Sequence, residues 1–179
     1  LMASIPFAGR YRMIDFILSS MVNSGIGNVS IIVRKNYHSL MDHLGSGREW
    51  DLTRKNGGLN IVPPFAEKTI KVYNGRLEAL ASILDFLRDQ KEKYVVMSDA
   101  DIAVNFDFSA MIDAHVKSGA DVTMAYTKEK LPEAVLAERQ ESTEFYYTLT
   151  LDEGRVTGME INAKEVDETN FSMGIYVVE

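Results

Sequence analysis

Apolar residues recur at helical spacing in four stretches of the chain, and this spacing predicts helices over residues 11–24, 37–44, 77–87 and 108–118. The first stretch carries its apolar stripe on Met13, Ile14, Ile17, Leu18, Met21 and Val22. Three of the four stretches are followed by a glycine, which commonly ends a helix. The pattern therefore predicts several amphipathic helices, each with one face directed at a core.

Short apolar, β-branched runs alternate with these helices and predict strands over residues 29–33, 94–98 and 121–127. The run that starts at Tyr94 is apolar throughout, as expected of a strand buried on both faces. Strands and helices in alternation imply right-handed crossovers and a mainly parallel sheet with helices on both faces. We therefore predict a doubly wound α/β fold.

The pattern changes in two places. Residues 46–70 are polar and rich in Gly and Pro, which predicts a long loop or insertion. After residue 140, the runs 146–151 and 155–161 flank Asp152-Glu153-Gly154, a signal for a β-hairpin. A last strand is predicted over residues 171–178. Antiparallel strands are thus expected to follow the parallel sheet late in the chain.

Composition limits the possible functions. The 179 residues are 46% hydrophobic and carry a net charge of −7, so the charge gives no support to a nucleic-acid-binding surface. The chain has no cysteine, which removes disulfides, thiolate catalysis and zinc–sulfur sites. Neither a signal peptide nor an apolar run of membrane-spanning length occurs in the sequence. We expect one cytoplasmic domain without a membrane or nucleic-acid partner.

Two carboxylates, Asp99 and Asp101, follow the strand predicted at 94–98. In open α/β sheets, ligands bind beyond the carboxyl ends of the strands. Side chains two residues apart on extended backbone point the same way, and such a pair suits Mg²⁺ or Mn²⁺ with nucleotide phosphates. Alternatively, either Asp merely caps or solvates a strand-to-helix turn. Both interpretations stay open at this point.

Four other side chains favour structural roles. His115 lies one turn after Met111 on an amphipathic stripe and is predicted to pack or to line a rim. His38 and His43 have no cysteine or third ligand nearby, so a metal site is not predicted there. Trp50 could stack on an adenine, but packing of its loop onto the core is the role predicted for it.

Four blocks of the sequence, in order, resemble the glucose-1-phosphate adenylyltransferases. The stretch from Ile5 to Ile26 is similar to the family's PFGGKYRIIDF…LSNCVNSGI block, and His38-Ser39-Leu40 with His43-Leu44 is similar to its HSL..HL. The stretch from Tyr73 to Ala79 lies where the family has YxGTADA, and the stretch from Ser172 to Val177 matches SMGIYVF. The resemblance runs nearly end to end and implies a nucleotidyltransferase, Rossmann-like fold.

The resemblance also implies a reaction, in which glucose-1-phosphate attacks the α-phosphate of ATP and pyrophosphate leaves. It places the family's metal-binding, catalytic Asp on Asp101, with Asp99 as a second candidate ligand and Mg²⁺ as the cofactor. It places substrate-binding residues on Tyr73, Gly75 and Ser172. A hydroxyl can bond the sugar or its phosphate, and glycine lets the backbone approach a nucleotide closely.

The departures from the family pattern are informative. The Thr-Ala-Asp that follows Gly75 in the family becomes Arg76-Leu77-Glu78, and the EKP motif becomes Ile161-Asn162-Ala163. A glycine of the family becomes Tyr147, and an early Lys falls on Met2. Two cations are therefore lost where phosphates should bind. This pattern resembles the second, largely non-catalytic subunit branch, which implies a hetero-oligomer with a catalytic subunit.

Two alternatives remain beside that hypothesis. One is a fully active adenylyltransferase, and the other takes Asp99-Ala100-Asp101 as the DxD motif of a nucleotide-sugar glycosyltransferase. We expect residues 1–179 to be part of a longer nucleotidyltransferase domain. The Gly-rich phosphate loop would precede Leu1, and a C-terminal region would follow Glu179.

Overall fold

The computed structural model describes residues 2–33, 37–54, 57–62, 76–130, 146–163 and 168–179. They form two compact units, one of residues 1–93 and 100–112 and one of residues 94–99 and 113–179. Parallel and antiparallel strands occur together with helices, so the predicted mixed α/β fold class is confirmed. Within the described residues, no helix combines the length and the apolarity that a membrane span needs.

The first unit begins with a 3₁₀ turn (Met2–Ser4). A short hairpin of β1 (Pro6–Phe7) and β2 (Tyr11–Arg12) follows and leads into α1 (Met13–Asn23). The predicted stripe of α1 is confirmed, since Ile14, Ile17, Leu18 and Met21 are buried. The helix ends as the sequence predicts, because Gly25 adopts φ 80° and its N–H bonds the Val22 carbonyl.

Strand β3 (Asn28–Ile32) follows α1, and α2 (His38–Leu44) follows β3, both as predicted. A 3₁₀ turn (Arg48–Trp50) and strand β4 (Gly58–Val62) come next. β4 pairs in parallel with β3, from Asn28 opposite Gly58 to Ile32 opposite Val62. The prediction of a loop over 46–70 is therefore wrong at β4, where flanking Gly and Pro masked a short apolar strand; residues 63–70 lie outside the described part.

The helix predicted over 77–87 is present as two pieces, α3 (Arg76–Ala81) and α4 (Leu84–Arg88). Ser82 explains the break, because its hydroxyl donates to the Ala79 carbonyl at 2.6 Å and competes with the helical pattern. Helix α5 (Phe108–Ser118) agrees with the prediction. Asp107 caps its N-terminus, because its carboxylate accepts the Ala110 N–H.

The core of the first unit is apolar and draws on α1, α2 and α5. Its buried apolar side chains include Ile14, Ile17, Leu18, Met21, Val29, Val33, Leu40, Leu44, Leu52, Ile83, Phe108 and Met111. Phe108 is fully buried, and its N–H donates to Ser24 Oγ at 2.9 Å. The start of α5 is therefore bonded to the end of α1.

The second unit contains the second half of α5 and a five-stranded sheet. The strands are β5 (Val95–Ser98), β6 (Val122–Glu129), β7 (Tyr147–Asp152), β8 (Arg155–Ile161) and β9 (Thr169–Val178). β9 is the centre of the sheet. β6 pairs along one edge of β9, and β5 and β7 share the other edge, each antiparallel to it. β5 and β6 consequently run in the same direction, with the last strand of the chain between them.

Two details of this sheet bear on the predictions. The β7–β8 hairpin is confirmed, and its turn residues Glu153 and Gly154 both have positive φ, as a two-residue type I′ turn requires. β5 is a strand as predicted, but its residues are only half-buried and, in the described part, its one paired neighbour is β9. The expectation of a strand buried on both faces is therefore not met.

Candidate functional site

The two predicted metal ligands flank the point at which the chain passes from one unit to the other. Asp99 follows the end of β5 in the second unit, and Asp101 lies in the segment of the first unit that leads to α5. Both side chains are half-buried, and both take part in interactions with the rest of the protein. The placement agrees with the sequence prediction of two carboxylates beyond the end of a strand.

The donor atoms at this position fit a hard divalent cation, since carboxylate oxygens are the ligands that Mg²⁺ prefers. Across the ranges that the structure describes, no group of three or more His, Asp and Glu side chains forms a metal cluster. A site here would therefore depend on one or two carboxylates together with substrate phosphates and water, which is common for Mg²⁺. The metal role of Asp99 and Asp101 stays a prediction.

Ser172, the predicted sugar-phosphate residue, lies on β9 in the second unit and is half-buried. Its hydroxyl accepts the N–H of Gly174 at 3.3 Å and lies 3.5 Å from the phenol oxygen of Tyr176, four residues along the same strand. Tyr176 and Ser172 thus point to one face of β9. This face carries two hydroxyl groups that could bond a sugar.

The predicted site residues are only partly accounted for. Tyr73 and Gly75 lie outside the described residues, and Asp101 and Ser172 belong to different units. That Asp101, Tyr73 and Ser172 border one space therefore stays a prediction.

By the resemblance of the sequence blocks, Asn162 falls where the family pattern has its phosphate-pairing Lys. It follows β8, its φ is 51°, and its side-chain oxygen accepts the N–H of Tyr146 at 3.0 Å. Its own N–H donates to the Tyr146 carbonyl at 3.0 Å. Asn162 thus closes the open end of the β7–β8 hairpin with a pair of hydrogen bonds. The residue is neutral and its amide oxygen is already bonded.

A cleft of about 210 Å³, which the sequence did not reveal, opens along α1 in the first unit. Its lining includes Tyr11, the α1 side chains Phe16, Ser19 and Asn23, and Asn105 from the segment after Asp101. The buried hydroxyl of Ser20 holds that segment in place, because it donates to the Val104 carbonyl and accepts the Phe106 N–H, both at 3.1 Å. We call this space the α1 cleft.

The wall of the α1 cleft includes Asp15, which is 8% exposed. Its Oδ1 lies 2.7 Å from His43 Nε2, and its Oδ2 accepts the Arg12 N–H at 3.0 Å. The one signal in the sequence was an Asp placed between the apolar residues Ile14 and Ile17, on the buried stripe of a helix. This pair joins α1 to α2.

The packing roles predicted for Trp50 and His115 are confirmed. Trp50 Nε1 donates to Ser19 Oγ at 3.3 Å, and its ring meets His43 edge-on with the ring centroids 6.3 Å apart. His115 is 2% exposed, its Nδ1 lies 2.8 Å from Thr123 Oγ1, and its ring meets Tyr94 edge-on. His43 therefore contacts a carboxylate and an indole.

Removing the Asp15 carboxylate should destabilise the first unit. Asp15→Ala leaves the Arg12 N–H and His43 without their acceptor in a buried place, at a cost of about 2–3 kcal/mol in the free energy of unfolding. Asp85→Ala is the matched control, because Asp85 bonds Arg88 with both side chains largely exposed and should change stability by less than about 0.5 kcal/mol. Urea unfolding measures both; equal effects would contradict a structural role for the Asp15–His43 pair.

Comparison with known proteins finds relatives that are named for glycogen biosynthesis or for glucose-1-phosphate adenylyl transfer. The chain is 45% identical over 126 residues to the glycogen biosynthesis protein GlgD of Geobacillus stearothermophilus, a match that covers 68% of this chain and 36% of that protein. It is 35% identical over 175 residues to a glucose-1-phosphate adenylyltransferase of Thermotoga neapolitana, with 97% of this chain and 40% of that enzyme covered. A Bacillus cytotoxicus glucose-1-phosphate adenylyltransferase is 34% identical, with coverages of 97% and 44%.

The chain thus spans less than half the length of these relatives. The resemblance that the sequence blocks gave to the adenylyltransferases is confirmed by these matches. The model of the nucleotidyl transferase family matches residues 3–178, nearly the whole chain. The chain belongs to the nucleotidyl transferase family.

Proposed function

We propose that the full-length protein is a subunit of glucose-1-phosphate adenylyltransferase in glycogen biosynthesis and that its own turnover is weak. The enzyme makes ADP-glucose and pyrophosphate from ATP and glucose-1-phosphate. In this proposal the protein tunes a catalytic partner through contacts between subunits. Such tuning requires two states of the assembly and contacts that differ between them.

The proposal rests on one observation: Asn162 is uncharged, and its amide oxygen is already hydrogen-bonded to the backbone. Transfer of a nucleotidyl group depends on positioning and on neutralising phosphate charge. At the position of the family's Lys, this chain has a neutral amide whose oxygen bonds the backbone of Tyr146. The early Lys of the family falls on Met2, which also carries no charge. The chain is also 45% identical over 126 residues to GlgD, a glycogen biosynthesis protein that is not named for adenylyl transfer, against 35% over 175 residues to an adenylyltransferase.

Binding, in contrast to turnover, is supported by residues that this chain keeps. We propose that Asp101 holds Mg²⁺ together with nucleotide phosphates and that Asp99 assists it. We also propose that Ser172 and Tyr176 bond the sugar or an effector. When bound, the ion would neutralise phosphate charge. Tyr73 and Gly75 remain candidate nucleotide contacts by resemblance.

A fully active adenylyltransferase is the second candidate, favoured by the matches to adenylyltransferases over 97% of the chain and by the retained Asp101. A DxD glycosyltransferase has less support, because the family match covers residues 3–178. Glucosyl transfer from a nucleotide sugar would be its signature.

Mixing tests the regulatory role. The full-length protein, added to a catalytic adenylyltransferase relative from the same organism, should co-elute with it and change its KM for glucose-1-phosphate or its response to an effector by severalfold, about 1 kcal/mol of coupling. The control omits this protein and adds the same amount of an unrelated acidic protein. No co-elution and an unchanged KM would contradict the proposal.

A further inference from the structure

Strand β8 lies at an edge of the five-stranded sheet and is exposed over most of its length. In the described part of the chain, β8 pairs with β7 along one edge, and no described strand pairs with its other edge. Gly158 is half-buried, and the other residues of β8 are exposed. An exposed edge strand presents a row of backbone N–H and C=O groups that can pair with another chain. β8 is therefore a candidate interaction surface.

The large apolar side chains of β8 share one face of the sheet. Val156, Met159 and Ile161 are 38%, 51% and 55% exposed. They lie opposite three residues that alternate along β7, namely Leu151, Leu149 and Tyr147. Alternate residues of a strand lie on one face, and so do residues directly opposite each other. Val156 and Met159 share a face although they are three positions apart, because Thr157 is an extra residue at a β-bulge. The bulge thus aligns an exposed apolar stripe.

The backbone groups of this stripe point to the free edge. The Glu160 carbonyl accepts a hydroxyl of β7, and the Asn162 N–H donates to β7. Alternate residues of an antiparallel strand direct their backbone groups to the same neighbour, so Met159 directs its groups away from β7. Before the bulge, Arg155 flanks the two-residue turn and pairs across it with β7. Val156 therefore also directs its backbone groups away from β7.

Two copies of β8 complement each other in one antiparallel register. When Val156 lies opposite Met159 of the second copy, both positions direct their backbone groups at the partner strand. The same register sets Arg155 of each copy opposite Glu160 of the other. Both are exposed, and neither makes an ion pair with another described residue. Opposite charges directly across a sheet stabilise the pairing. A register with Met159 opposite Ile161 would instead set Glu160 opposite Glu160, which is unfavourable.

We propose that β8 is an interface between two copies of this chain, which pair antiparallel about a two-fold axis between Thr157 and Gly158 and join their sheets into one. The self-complementary charges select a second copy as the partner, since an isologous interface requires them. All of these residues belong to the second unit, and the proposal does not depend on the function proposed above. One pair of strands is small beside the roughly 1,200–2,000 Å² of a stable interface, so association should depend on protein concentration.

Charge reversal tests the register in the full-length protein. Arg155→Glu sets carboxylates opposite each other at both ends of the interface, and Glu160→Arg sets guanidinium groups opposite each other. Each variant should raise the dissociation constant of the association about tenfold or more. Sedimentation velocity over a series of protein concentrations measures this constant. Lys117→Glu, at an exposed position on α5, changes the net charge as Arg155→Glu does and should leave association unchanged.

An equimolar mixture of Arg155→Glu and Glu160→Arg should associate as the unaltered protein does. In a mixed pair of copies, each cross-strand contact again joins a carboxylate to a guanidinium group. The double variant Arg155→Glu/Glu160→Arg should recover for the same reason. A folding defect in either single variant could not produce this recovery. Met159→Thr keeps a β-branched residue but removes apolar surface, and should weaken association about three- to tenfold.

Four results would overturn the assignment. The full-length protein stays monomeric at every concentration, the single reversals leave association unchanged, the mixture shows no recovery, or association appears only when a catalytic relative is added. The second result is expected if another segment of the full-length protein covers β8, and the fourth if a different subunit does. Because the readout is the mass of the assembly, none of these results bears on pyrophosphate release.

Discussion

The purified full-length protein, given ATP, Mg²⁺ and glucose-1-phosphate, should release pyrophosphate about two to four orders of magnitude more slowly than a catalytic relative. Two cations of the family pattern are absent, at Asn162 and at Met2. One charge-assisted hydrogen bond contributes typically about 1.5–3 kcal/mol. Losing two that act on the transition state accounts for the expected factor. Tyr147 stands where the family pattern has a glycine, and its bulk should lower the rate of pyrophosphate release further.

A pyrophosphate-release assay measures this rate, with a catalytic relative as the reference under the same conditions. Asp101→Asn should lower whatever turnover remains and weaken Mg²⁺-dependent nucleotide binding. Asp107→Asn is its matched control, because Asp107 only caps α5 and Asn caps a helix equally well. Turnover at the rate of the catalytic relative would refute the weak-turnover proposal and favour the fully active enzyme.

Replacing Gly58 by alanine should destabilise the first unit strongly, and more than the same replacement at Gly25. Gly58 opens β4 with φ 85°, and a Cβ there would overlap the carbonyl oxygen of Leu52. That oxygen accepts the Leu59 N–H, so it cannot move without breaking a bond. Gly58→Ala should lower the free energy of unfolding by about 3–5 kcal/mol, the sum of left-handed backbone strain and a backbone clash.

Gly25→Ala separates these two causes. Gly25 has nearly the same φ, 80°, but a Cβ there meets nothing within 4 Å, so only the strain of about 1–2 kcal/mol should remain. Urea unfolding of the two variants beside the unaltered protein gives the comparison. Equal losses would show that β4 does not pack against Leu52 as described.

Local sequence rules predicted most of the elements, because the signals for those elements are local. The α1 stripe, its glycine stop and the Glu153-Gly154 turn each depend on residues within a few positions of one another. The same rules failed at β4 and at Ser82. At β4, the surrounding glycine and proline residues indicated a loop and hid a short apolar strand. At Ser82, the apolar stripe indicated one continuous helix and hid the effect of the serine hydroxyl on the backbone.

Some site residues could likewise be found from the sequence, and others only from the structure. The Asp99 and Asp101 pair and Ser172 came from motifs and positions along the chain, and the structure places Asp99 and Asp101 after β5 and Ser172 on β9. The α1 cleft was not predictable, because its lining joins α1 to residues 104 and 105, about 80 positions later. No periodicity in a sequence encodes such a pairing.

The mixed α/β class, the order of helices and strands, and the family could all be predicted from the sequence, because hydrophobic period, turn residues and motif blocks are properties of short stretches. Three features became visible in the folded chain alone: β9 lies between β5 and β6, the Asn162 amide bonds the Tyr146 backbone, and His43 contacts Asp15. These three facts depend on contacts between residues far apart in the chain, where burial and hydrogen-bond satisfaction of the whole unit, and not local propensity, select the partner.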